Sequence, residues 1–339
     1  MRFPLSLTRS MASYLLRKRL AGEKRYPLVL MLEPLHACNL SCVGCGRIRE
    51  YADTLSRRLS ADQCLAAAEE CGAPIVSVCG GEPLIYPKIE ELVGKLLAAR
   101  KHVYLCTNGL LLENKLSGFP PTDRLMINVH LDGMEESHDR AVNRQGVFAA
   151  AMRGVVAAKA AGFIVCSNTT IYKDTDMHEI AVLFEYLTEF GVDGLMISPA
   201  YGYESVERSD PDNGDGIFMT RHEVNEKFRQ ARQMLARFKL VASPVYMDFL
   251  CGRRELTCAA WANPTYNVHG WRGPCYLVAD DHYGTYRELV DETDWECLGP
   301  GNDPRCEHCL VHCGFEPAAF LAANRSVRDM FKMALWQMT

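Results

Sequence analysis

The sequence lacks the features of membrane-spanning and nucleic-acid-binding proteins. None of its apolar stretches approaches the ~20 residues that are needed to cross a bilayer. Its net charge of −5 provides no excess of positive charge with which to bind nucleic acid. It also contains no internal repeat and no low-complexity tract. With 48% hydrophobic and 23% charged residues, the composition is typical of an ordinary globular protein.

A convincing secretion signal is also missing. The apolar residues near the N-terminus are interrupted by arginine and lysine, and no small-residue cleavage site follows them. Residues 1–25 instead form a basic, partly amphipathic segment, in which the first acidic residue is Glu23. Two interpretations stay open, a helix packed on the body of the protein or a helix on an anionic membrane surface. We therefore expect a cytoplasmic protein, with peripheral binding to the inner face of the membrane as the second possibility.

What the sequence does contain is cysteine, with fifteen residues in a chain of 339. A secreted disulfide scaffold would be shorter and would usually carry an even number. In a cytosolic protein, clustered cysteines more often bind metal. Eight of the fifteen cysteines form two groups. The first group is Cys38, Cys42 and Cys45, and the second is Cys258, Cys275, Cys306, Cys309 and Cys313. Isolated cysteines such as Cys64, Cys71, Cys166, Cys251 and Cys297 are expected to pack as small hydrophobic residues.

Short apolar strands alternate with amphipathic helices over the first two thirds of the chain. This pattern predicts βα units, a parallel sheet and a partial (β/α)6 barrel, with catalytic groups at the carboxyl ends of the strands. The predicted strands are Leu28–Glu33, Ile75–Cys79, Val103–Cys106, Leu125–Leu131, Phe163–Ile171 and Gly194–Ser198, and the predicted helices run from Ser60 to Cys71, Pro87 to Arg100, Val147 to Ala161 and Met177 to Phe190.

The rest of the chain has a different pattern. Residues Ser205–Gly216 are polar and predict a loop or lid. From about Ser243 several tryptophans and cysteines appear without helical or strand periodicity, which indicates a smaller metal-bound domain. We therefore divide the chain into an N-terminal segment (1–25), a barrel (26–240) and a cysteine-rich domain with a C-terminal helix (241–339). In that helix Val327, Met330, Phe331, Leu335 and Met338 share one face, for which we expect packing on the core rather than contact with a membrane.

The first cysteine group directly follows the first predicted strand. Three thiolates at the C-x3-C-x2-C spacing of Cys38, Cys42 and Cys45 can bind three corners of a cubane iron–sulfur cluster and leave one iron open for catalysis. A zinc site that includes His36, or cysteines that merely pack, are the alternatives.

Neighbouring motifs favour the cluster. The second strand ends in Cys79-Gly80-Gly81-Glu82-Pro83, where the glycines allow a close approach of the backbone to a ligand and Glu82 supplies an anion for an ammonium group. Together with Thr107-Asn108-Gly109 and Val129–Gly133, this arrangement resembles the radical S-adenosylmethionine (SAM) superfamily over residues 28–200.

The resemblance implies a 4Fe–4S cluster, SAM as the second cofactor and a set of contacts to SAM. Gly80, Gly81 and Glu82 are implied to hold its amino group, and Val43 to face its adenine. His130 on strand four and Asn168 on strand five are implied SAM contacts, and ordinary strand-end hydrogen bonds are the alternative for both.

The second cysteine group resembles the auxiliary-cluster domains, twitch or SPASM-like, of many radical SAM enzymes. Cys258-x11-Gly270-x4-Cys275 looks like a hairpin whose turn is built on Gly270, and a Cys-x2-Cys pair follows. The resemblance implies a second iron–sulfur cluster on Cys258, Cys275, Cys306 and Cys309, with Cys313 as an additional cysteine that is not a ligand. A structural zinc site with four cysteine ligands remains the alternative.

Longer stretches resemble the adenosylhopane synthase (adenosyl-hopene transferase) family of hopanoid biosynthesis. They are Tyr26–Pro34, Cys71–Pro74, Tyr104–Asn108, Met196–Tyr201, Gly270-Trp271, Pro274–Leu277 and Glu292–Trp295. The chain departs from the family at Gly109, where alanine is expected, and in the loop Glu204–Phe218. The resemblance implies addition of the 5′-deoxyadenosyl radical to the terminal alkene of the triterpene diploptene. It also implies a large, dry substrate pocket and a flavodoxin- or ferredoxin-type electron donor.

That reaction leaves a carbon radical on the substrate, and we expect Cys106 to quench it by donating a hydrogen atom. Cys106 ends the third predicted strand and immediately precedes Thr107-Asn108-Gly109. A buried cysteine chosen for its size is the alternative. Two other functions stay open, a radical SAM enzyme that abstracts hydrogen from a sugar, peptide or other small substrate and releases 5′-deoxyadenosine, and a zinc-bound binding protein without catalysis.

Overall fold

A single sheet of nine strands organises the chain. The computed structural model describes residues 2–207 and 216–338. The strands lie in the order β6-β5-β4-β3-β2-β1-β7-β8-β9, where β1 to β7 pair in parallel and the last two pairs are antiparallel. Their bounds are β1 Val29–Leu32, β2 Ile75–Val78, β3 His102–Thr107, β4 Leu125–His130, β5 Ile164–Ile171, β6 Gly194–Pro199, β7 Thr265–Asn267, β8 Gly270–Pro274 and β9 Ala279–Tyr283.

Helices connect the parallel strands and cover one face of the sheet. The helices are α1 Leu5–Leu20, α2 Arg47–Glu50, α3 Ala61–Cys71, α4 Ile89–Ala98, α5 Leu112–Lys115, α6 Glu135–Ala141, α7 Val147–Ala160, α8 Met177–Glu189, α9 Glu204–Glu207, α10 Arg221–Leu235, α11 Pro244–Leu250, α12 Tyr286–Glu292, α13 His312–Ala323 and α14 Val327–Met338. The predicted start of α3 is confirmed, since Ser60 and Gln63 form a reciprocal capping box. The predicted α/β fold with a partial, barrel-like parallel sheet is confirmed as well.

The segment after Ser243 is more regular than its sequence predicts. The expectation that it lacks helical and strand periodicity is wrong, because α11, three strands, α12 and α13 lie there. These strands have only three to five residues, and β9 is largely polar, so they are too short for alternation to be visible. The hairpin is present, with Asn267 paired to Gly270. The domain boundary at residue 241 stays a prediction, since β7 extends the sheet from β1.

The two faces of the sheet differ in polarity. On the outer face, Val76, Val103 and Ile127 belong to the main hydrophobic core beneath the helices. The inner face carries polar and sulfur-containing side chains in rows that cross the strands. One row runs from Cys106 through Asn128 to Cys166, and the next runs from His130 through Asn168 to Met196. Because the strands are parallel and in register, these side chains are held side by side at one face.

The polar segment Ser205–Gly216, predicted to be a loop or lid, lies mostly outside the described residues. Of its described part, Ser205 belongs to the short helix α9. None of the helices in the described ranges is both long and apolar enough to cross a membrane. The C-terminal helix α14 differs from expectation, because the apolar side predicted to pack on the core is exposed.

We expect Gly109→Ala to destabilise the chain, although the family resemblance predicts alanine there. Gly109 has a φ of +81°, and an added Cβ would lie 2.7 Å from the Cβ of Ala151. The left-handed backbone and the overlap together are expected to lower the free energy of unfolding by about 1–3 kcal/mol. Urea denaturation monitored by circular dichroism measures this change.

Gly94→Ala is the matched control for that substitution. Gly94 lies inside α4 with no heavy atom within 4 Å of an added Cβ. The same methyl group should there raise the free energy of unfolding by about 0.5–1 kcal/mol, because alanine is the better helix former. Equal effects of the two substitutions would contradict our account of Gly109.

Candidate radical SAM site

The loop that carries the first three cysteines begins directly after β1. The sulfur of Cys38 accepts a hydrogen bond from the backbone N–H of Leu40 at 3.4 Å, and the N–H of Cys45 donates to the carbonyl of Cys42 at 3.2 Å. All three thiols are partly exposed. The structure therefore presents these cysteines on one short loop at the carboxyl edge of the sheet, where the sequence predicts them.

The electrostatics of the loop suit a cationic metal centre. Burial raises the pKa of the Cys38 thiol to about 11. Burial and the neighbouring thiols Cys45 and Cys38 raise the pKa of Cys42 further. A metal centre stabilises such thiolates by its own positive charge. In residues 2–207 and 216–338 no three His, Cys, Asp or Glu side chains converge on a single-ion site. The corners of a cubane do not require this convergence, because each thiolate binds its own iron.

The glycine loop after β2 lies directly against the start of the cysteine loop. The N–H groups of Gly81 and Glu82 donate to the carbonyls of Leu35 and Ala37 at 3.1 and 2.9 Å. A Cβ at position 81 would lie 1.8 Å from the carbonyl oxygen of Ala37, and one at Gly80 would lie 2.5 Å from that of Leu35. Glycine is therefore required here because two backbones approach closely, a reason additional to the predicted approach of a ligand.

Glu82 joins this loop to the end of β3. Its carboxylate accepts hydrogen bonds from the hydroxyl of Thr107 at 2.7 Å and from the N–H groups of Asn108 and Leu84 at 2.8 and 2.9 Å. Burial raises the pKa of Glu82 in spite of these donors. The carboxylate has a further lone pair to offer. A buried carboxylate with a raised pKa suits an ammonium group, as predicted for the amino group of SAM.

Asn108 connects the end of β3 to the first cysteine of the loop. Its side-chain amide donates to the side-chain oxygen of Asn39 at 2.8 Å and lies 3.9 Å from the sulfur of Cys38. The cysteine loop, the glycine loop and the end of β3 are thus one hydrogen-bonded unit. Val43, predicted to face adenine, is exposed on the same loop and is fixed through its N–H to the carbonyl of Ala141 at 2.9 Å.

The ends of β4 and β5 bring His130 and Asn168 side by side. The Nε2 atom of His130 lies 2.8 Å from a carboxylate oxygen of Asp132. Burial lowers the pKa of His130, but the Asp132 carboxylate outweighs it, so that the pKa is raised. The other Asp132 oxygen accepts from the N–H of Thr170 at 2.7 Å. The strand-end hydrogen bond considered for His130 therefore exists, and its role toward SAM stays a prediction, as does that of Asn168.

Cys106 lies on the inner face of the sheet. Its sulfur is 3.3 Å from the hydroxyl of Ser77 and 3.9 Å from the side-chain nitrogen of Asn128. The residue is partly exposed, unlike Cys166 in the same row, which is buried. Burial raises the pKa of the Cys106 thiol, so it keeps its hydrogen at neutral pH. The thiol is two residues from Asn108, which contacts the first cysteine of the cluster loop.

The second cysteine group surrounds one cavity. Cys258, Cys275, Cys306, Cys309 and Cys313 all line it. The sulfur of Cys275 accepts two backbone hydrogen bonds, from Leu277 at 3.4 Å and Val278 at 3.2 Å. Gly314 leaves room for the sulfur of Cys258, which would lie 2.4 Å from an added Cβ. Backbone hydrogen bonds to the sulfur of Cys275, and the space that Gly314 leaves beside the sulfur of Cys258, fit an iron–sulfur cluster. The fifth cysteine, Cys313, lines this cavity together with the four predicted ligands.

A buried ion pair that the sequence analysis missed lies beside the first cysteine loop. Nε of Arg47 is 2.9 Å from a carboxylate oxygen of Glu33, and both side chains are almost wholly buried. Burial alone would raise the pKa of Glu33, but Arg47, His36 and Arg272 lower it to about 2. The only sequence signal was a charged residue directly after β1, at the carboxyl edge where site residues collect.

The same network reaches the second cysteine group. Arg47 donates to the carbonyl of Tyr276 at 2.9 Å. Arg272 of β8 contacts a Glu50 oxygen at 3.3 Å and donates to the carbonyls of Cys275 and Leu277 at 3.3 and 3.0 Å. Two buried arginines therefore connect the loop of the first cluster with the hairpin of the second.

Two family models together match most of the chain. Residues 32–187 match the radical SAM superfamily, and residues 195–333 match a domain of unknown function (DUF3463). The fold and the cysteine loop agree with this match, and together they support a radical SAM enzyme whose superfamily region is residues 32–187. The cofactors of that superfamily are a 4Fe–4S cluster and SAM, and the cysteines of the C-terminal domain fit an auxiliary cluster.

Relatives in sequence share the first half of the chain. An AdoMet-dependent heme synthase from Methanosarcina barkeri is 30% identical over 170 residues, which cover 49% of this chain and 48% of the relative. A GTP 3′,8-cyclase 1 from Mycobacterium tuberculosis is 29% identical over 181 residues, which cover 50% and 48%. The chain therefore spans about half the length of the curated relatives that it matches.

Relatives in structure share the fold over nearly the whole chain. Streptococcus suis SuiB bound to S-adenosylmethionine superposes with a TM-score of 0.63 at 13% identity, over 94% of this chain and 77% of that one. The protein anSMEcpe with bound AdoMet gives a TM-score of 0.54 at 15% identity, over 91% and 98%. At these identities the likeness concerns the fold alone.

We expect replacement of Cys38, Cys42 and Cys45 by alanine to abolish reductive SAM cleavage. The loss of one cubane should also lower the iron content by about four atoms per chain. Iron and sulfide that remain in this variant report on the second cysteine group. Anaerobic iron, sulfide and zinc assays, together with 5′-deoxyadenosine quantification, measure these changes.

The control removes the same number of thiols elsewhere. Cys64, Cys71 and Cys166 are buried and lie away from both groups in the sequence, and their replacement by alanine should leave the iron content unchanged. Wild-type SAM cleavage by the first variant would exclude the first cluster site. Zinc, or no metal, at the second group would exclude its iron–sulfur assignment.

Arg47→Met is expected to lower the free energy of unfolding by about 3–5 kcal/mol, because it removes the nearest cation from the buried Glu33 carboxylate and leaves only His36 at 3.5 Å and the more distant Arg272. Burial then raises the pKa of Glu33 in the folded chain above its unfolded value. Stability is lost as the pH rises through that raised pKa, so the deficit should be greater at pH 8 than at pH 5. Urea denaturation at both pH values measures it.

The double variant Glu33→Gln/Arg47→Met serves as the control. It removes the charge of Glu33 as well as that of Arg47. Part of the lost stability should therefore be recovered, and most of the pH dependence should disappear. A deficit that is the same at both pH values and in both variants would show that Arg47 acts only by packing.

Proposed function

We propose that this protein is a radical SAM transferase that adds the 5′-deoxyadenosyl radical to the terminal alkene of diploptene, forming adenosylhopane. The sequence resemblance to adenosylhopane synthases supports the choice of substrate. The observation that carries the proposal is the partly exposed Cys106 on the inner face of the sheet, since adduct formation leaves a radical that needs a hydrogen donor. A flavodoxin- or ferredoxin-type protein is the proposed electron donor.

The cofactors are assigned to residues that fit them. The 4Fe–4S cluster, when bound, supplies the electron that cleaves SAM. Cys38, Cys42 and Cys45 would hold it, and Glu82, backed by Thr107 and Asn108, would bind the amino group of SAM. The hydrogen bond from Asn108 to Asn39 fixes the spacing between these two sets of residues.

The proposed role of Cys106 follows from chemistry and position. Transfer of an electron alone would leave a carbanion, which an apolar pocket cannot solvate. Homolysis of the S–H bond of Cys106 and formation of a C–H bond on the product avoid a charge, and a thiyl radical remains on the sulfur. Ser77 and Asn128 hold the thiol in place, and burial keeps it protonated. The electron donor would afterwards reduce the thiyl radical, and a proton would restore the thiol.

A second candidate follows from the polarity of the inner face. His130 with its partner Asp132, together with Asn168, provides hydrogen-bonding groups near the same edge of the sheet. Such groups suit a sugar, peptide or other small polar substrate from which hydrogen is abstracted. That reaction would release 5′-deoxyadenosine and would form no adduct.

Anaerobic incubation with SAM, a chemical reductant and diploptene distinguishes the two functions. The proposed transferase should yield a product whose mass equals that of diploptene plus an adenosyl group and one hydrogen. Cys106→Ala should still cleave SAM, while the saturated adduct falls at least about tenfold, a loss of about 1.4 kcal/mol or more in transition-state stabilisation. Unsaturated or epimeric products should replace it.

Cys166→Ala is the matched control, because Cys166 lies in the same row of the inner face but is buried. It should make the wild-type product at the wild-type rate. If Cys106→Ala also does so, another group quenches the radical. If no adduct forms with any variant while 5′-deoxyadenosine accumulates with a polar substrate, the second function is correct.

A further inference from the structure

The C-terminal helix α14 points its apolar side outward. Val327 is 79% exposed and Phe331 is 70% exposed, the two highest values among the large apolar residues of this helix. Its remaining exposed apolar side chains are Met330, Leu335 and Met338. These positions recur every three or four residues and therefore form one stripe along the helix. An amphipathic helix normally turns such a stripe toward the core.

Polar contacts, together with the partly buried Met333, hold the opposite side of α14 to the body of the protein. Asp329 forms an ion pair with Arg254 at 2.8 Å, and Lys332 lies 3.3 Å from a carboxylate oxygen of Asp248. The indole nitrogen of Trp336 donates to the carbonyl of Leu240 at 3.1 Å. The outward direction of the apolar stripe is therefore fixed by specific contacts on the opposite side of the helix.

The residues directly before the N-terminal helix α1 meet the end of α14. The N–H of Arg2 donates to the carbonyl of Gln337 at 3.0 Å, and the rings of Phe3 and Trp336 are in edge-to-face contact at 5.6 Å. Tyr14 anchors the inner side of α1 by donating to the carbonyl of Pro27 at 2.6 Å. Three large apolar side chains of α1 remain exposed, namely Leu5, Leu16 and Leu20.

Positive charge accompanies the exposed apolar residues. Arg9, Arg17, Arg19, Arg325 and Arg328 are all exposed, and none forms an ion pair with another described residue. The helix α1 contains no acidic residue, and the single acidic residue of α14 is the buried Asp329, which pairs with Arg254. The outward surface of the two helices, α1 and α14, is thus apolar and basic.

We propose that α1 and α14 together dock this protein on an anionic lipid membrane. Apolar side chains combined with arginine are typical of helices that lie in a membrane interface. Anionic headgroups complement the arginines, whereas a second copy of the chain would bring the same positive charges against them. This surface involves none of the residues of the proposed reaction, so it stands independently of the substrate.

Flotation of the full, cluster-loaded chain with lipid vesicles tests the proposal without SAM or substrate. Vesicles of phosphatidylcholine are compared with vesicles that also contain phosphatidylglycerol. Val327→Ser/Phe331→Ser should weaken binding to the anionic vesicles at least about tenfold. Replacement of Arg17 and Arg19 by glutamine should weaken it about fivefold for each charge removed.

The matched control is Val156→Ser/Val182→Ser, which removes two exposed valines from α7 and α8 of the barrel. It should bind vesicles like the unmodified chain, and circular dichroism should show that every variant is folded. Absence of binding to anionic vesicles, or equal binding by all variants, would overturn the proposal. Self-association that Val327→Ser/Phe331→Ser abolishes in light scattering, without vesicle binding, would overturn it in favour of a second copy.

Discussion

The close approach of two backbones at Gly81 and Ala37 is the constraint on which the site depends. No side chain fits between them, because a Cβ at position 81 would lie 1.8 Å from the Ala37 carbonyl oxygen. The approach fixes the start of the cysteine loop against the end of β2. Glu82 then follows in the chain, and its carboxylate reaches Thr107 and Asn108 at the end of β3. Contacts between three successive βα units therefore derive from one place where only glycine is possible.

Buried charge connects this unit to the C-terminal part of the chain. The pair between Arg47 and Glu33 and the pair between Arg272 and Glu50 lie between the two groups of cysteines. Removing such charges from water is costly unless partners and hydrogen bonds compensate. The carbonyls of Tyr276 and Leu277 supply part of that compensation, and in doing so they position the hairpin that carries Cys275. These arginines therefore fix the position of one cysteine group relative to the other.

The sequence predicted the parallel strands and the cysteine loop because both have local signals. Strand periodicity, the capping box at Ser60 and the C-x3-C-x2-C spacing each span only a few residues. The partnership of Arg47 with Glu33 could not be predicted, because it depends on the path of the chain after β1. That of Arg272 with Glu50 could not be predicted either, because it joins residues more than 200 positions apart. The pattern of α14 identified an apolar face correctly but not its direction, which is decided by polar contacts such as Asp329 with Arg254. The segment after Ser243 has strands too short for periodicity to appear.

The parallel pairing of β1 with β7 has a consequence for synthesis on the ribosome. Met31 pairs with Thr265, so one edge of β1 remains unpaired until its partner strand is translated more than 200 residues later. At typical elongation rates this interval lasts roughly 10 to 50 seconds. During that time β1 presents an unpaired edge, the kind of surface that other nascent chains can join. Protection of this edge by chaperones during synthesis would then raise the yield of folded protein.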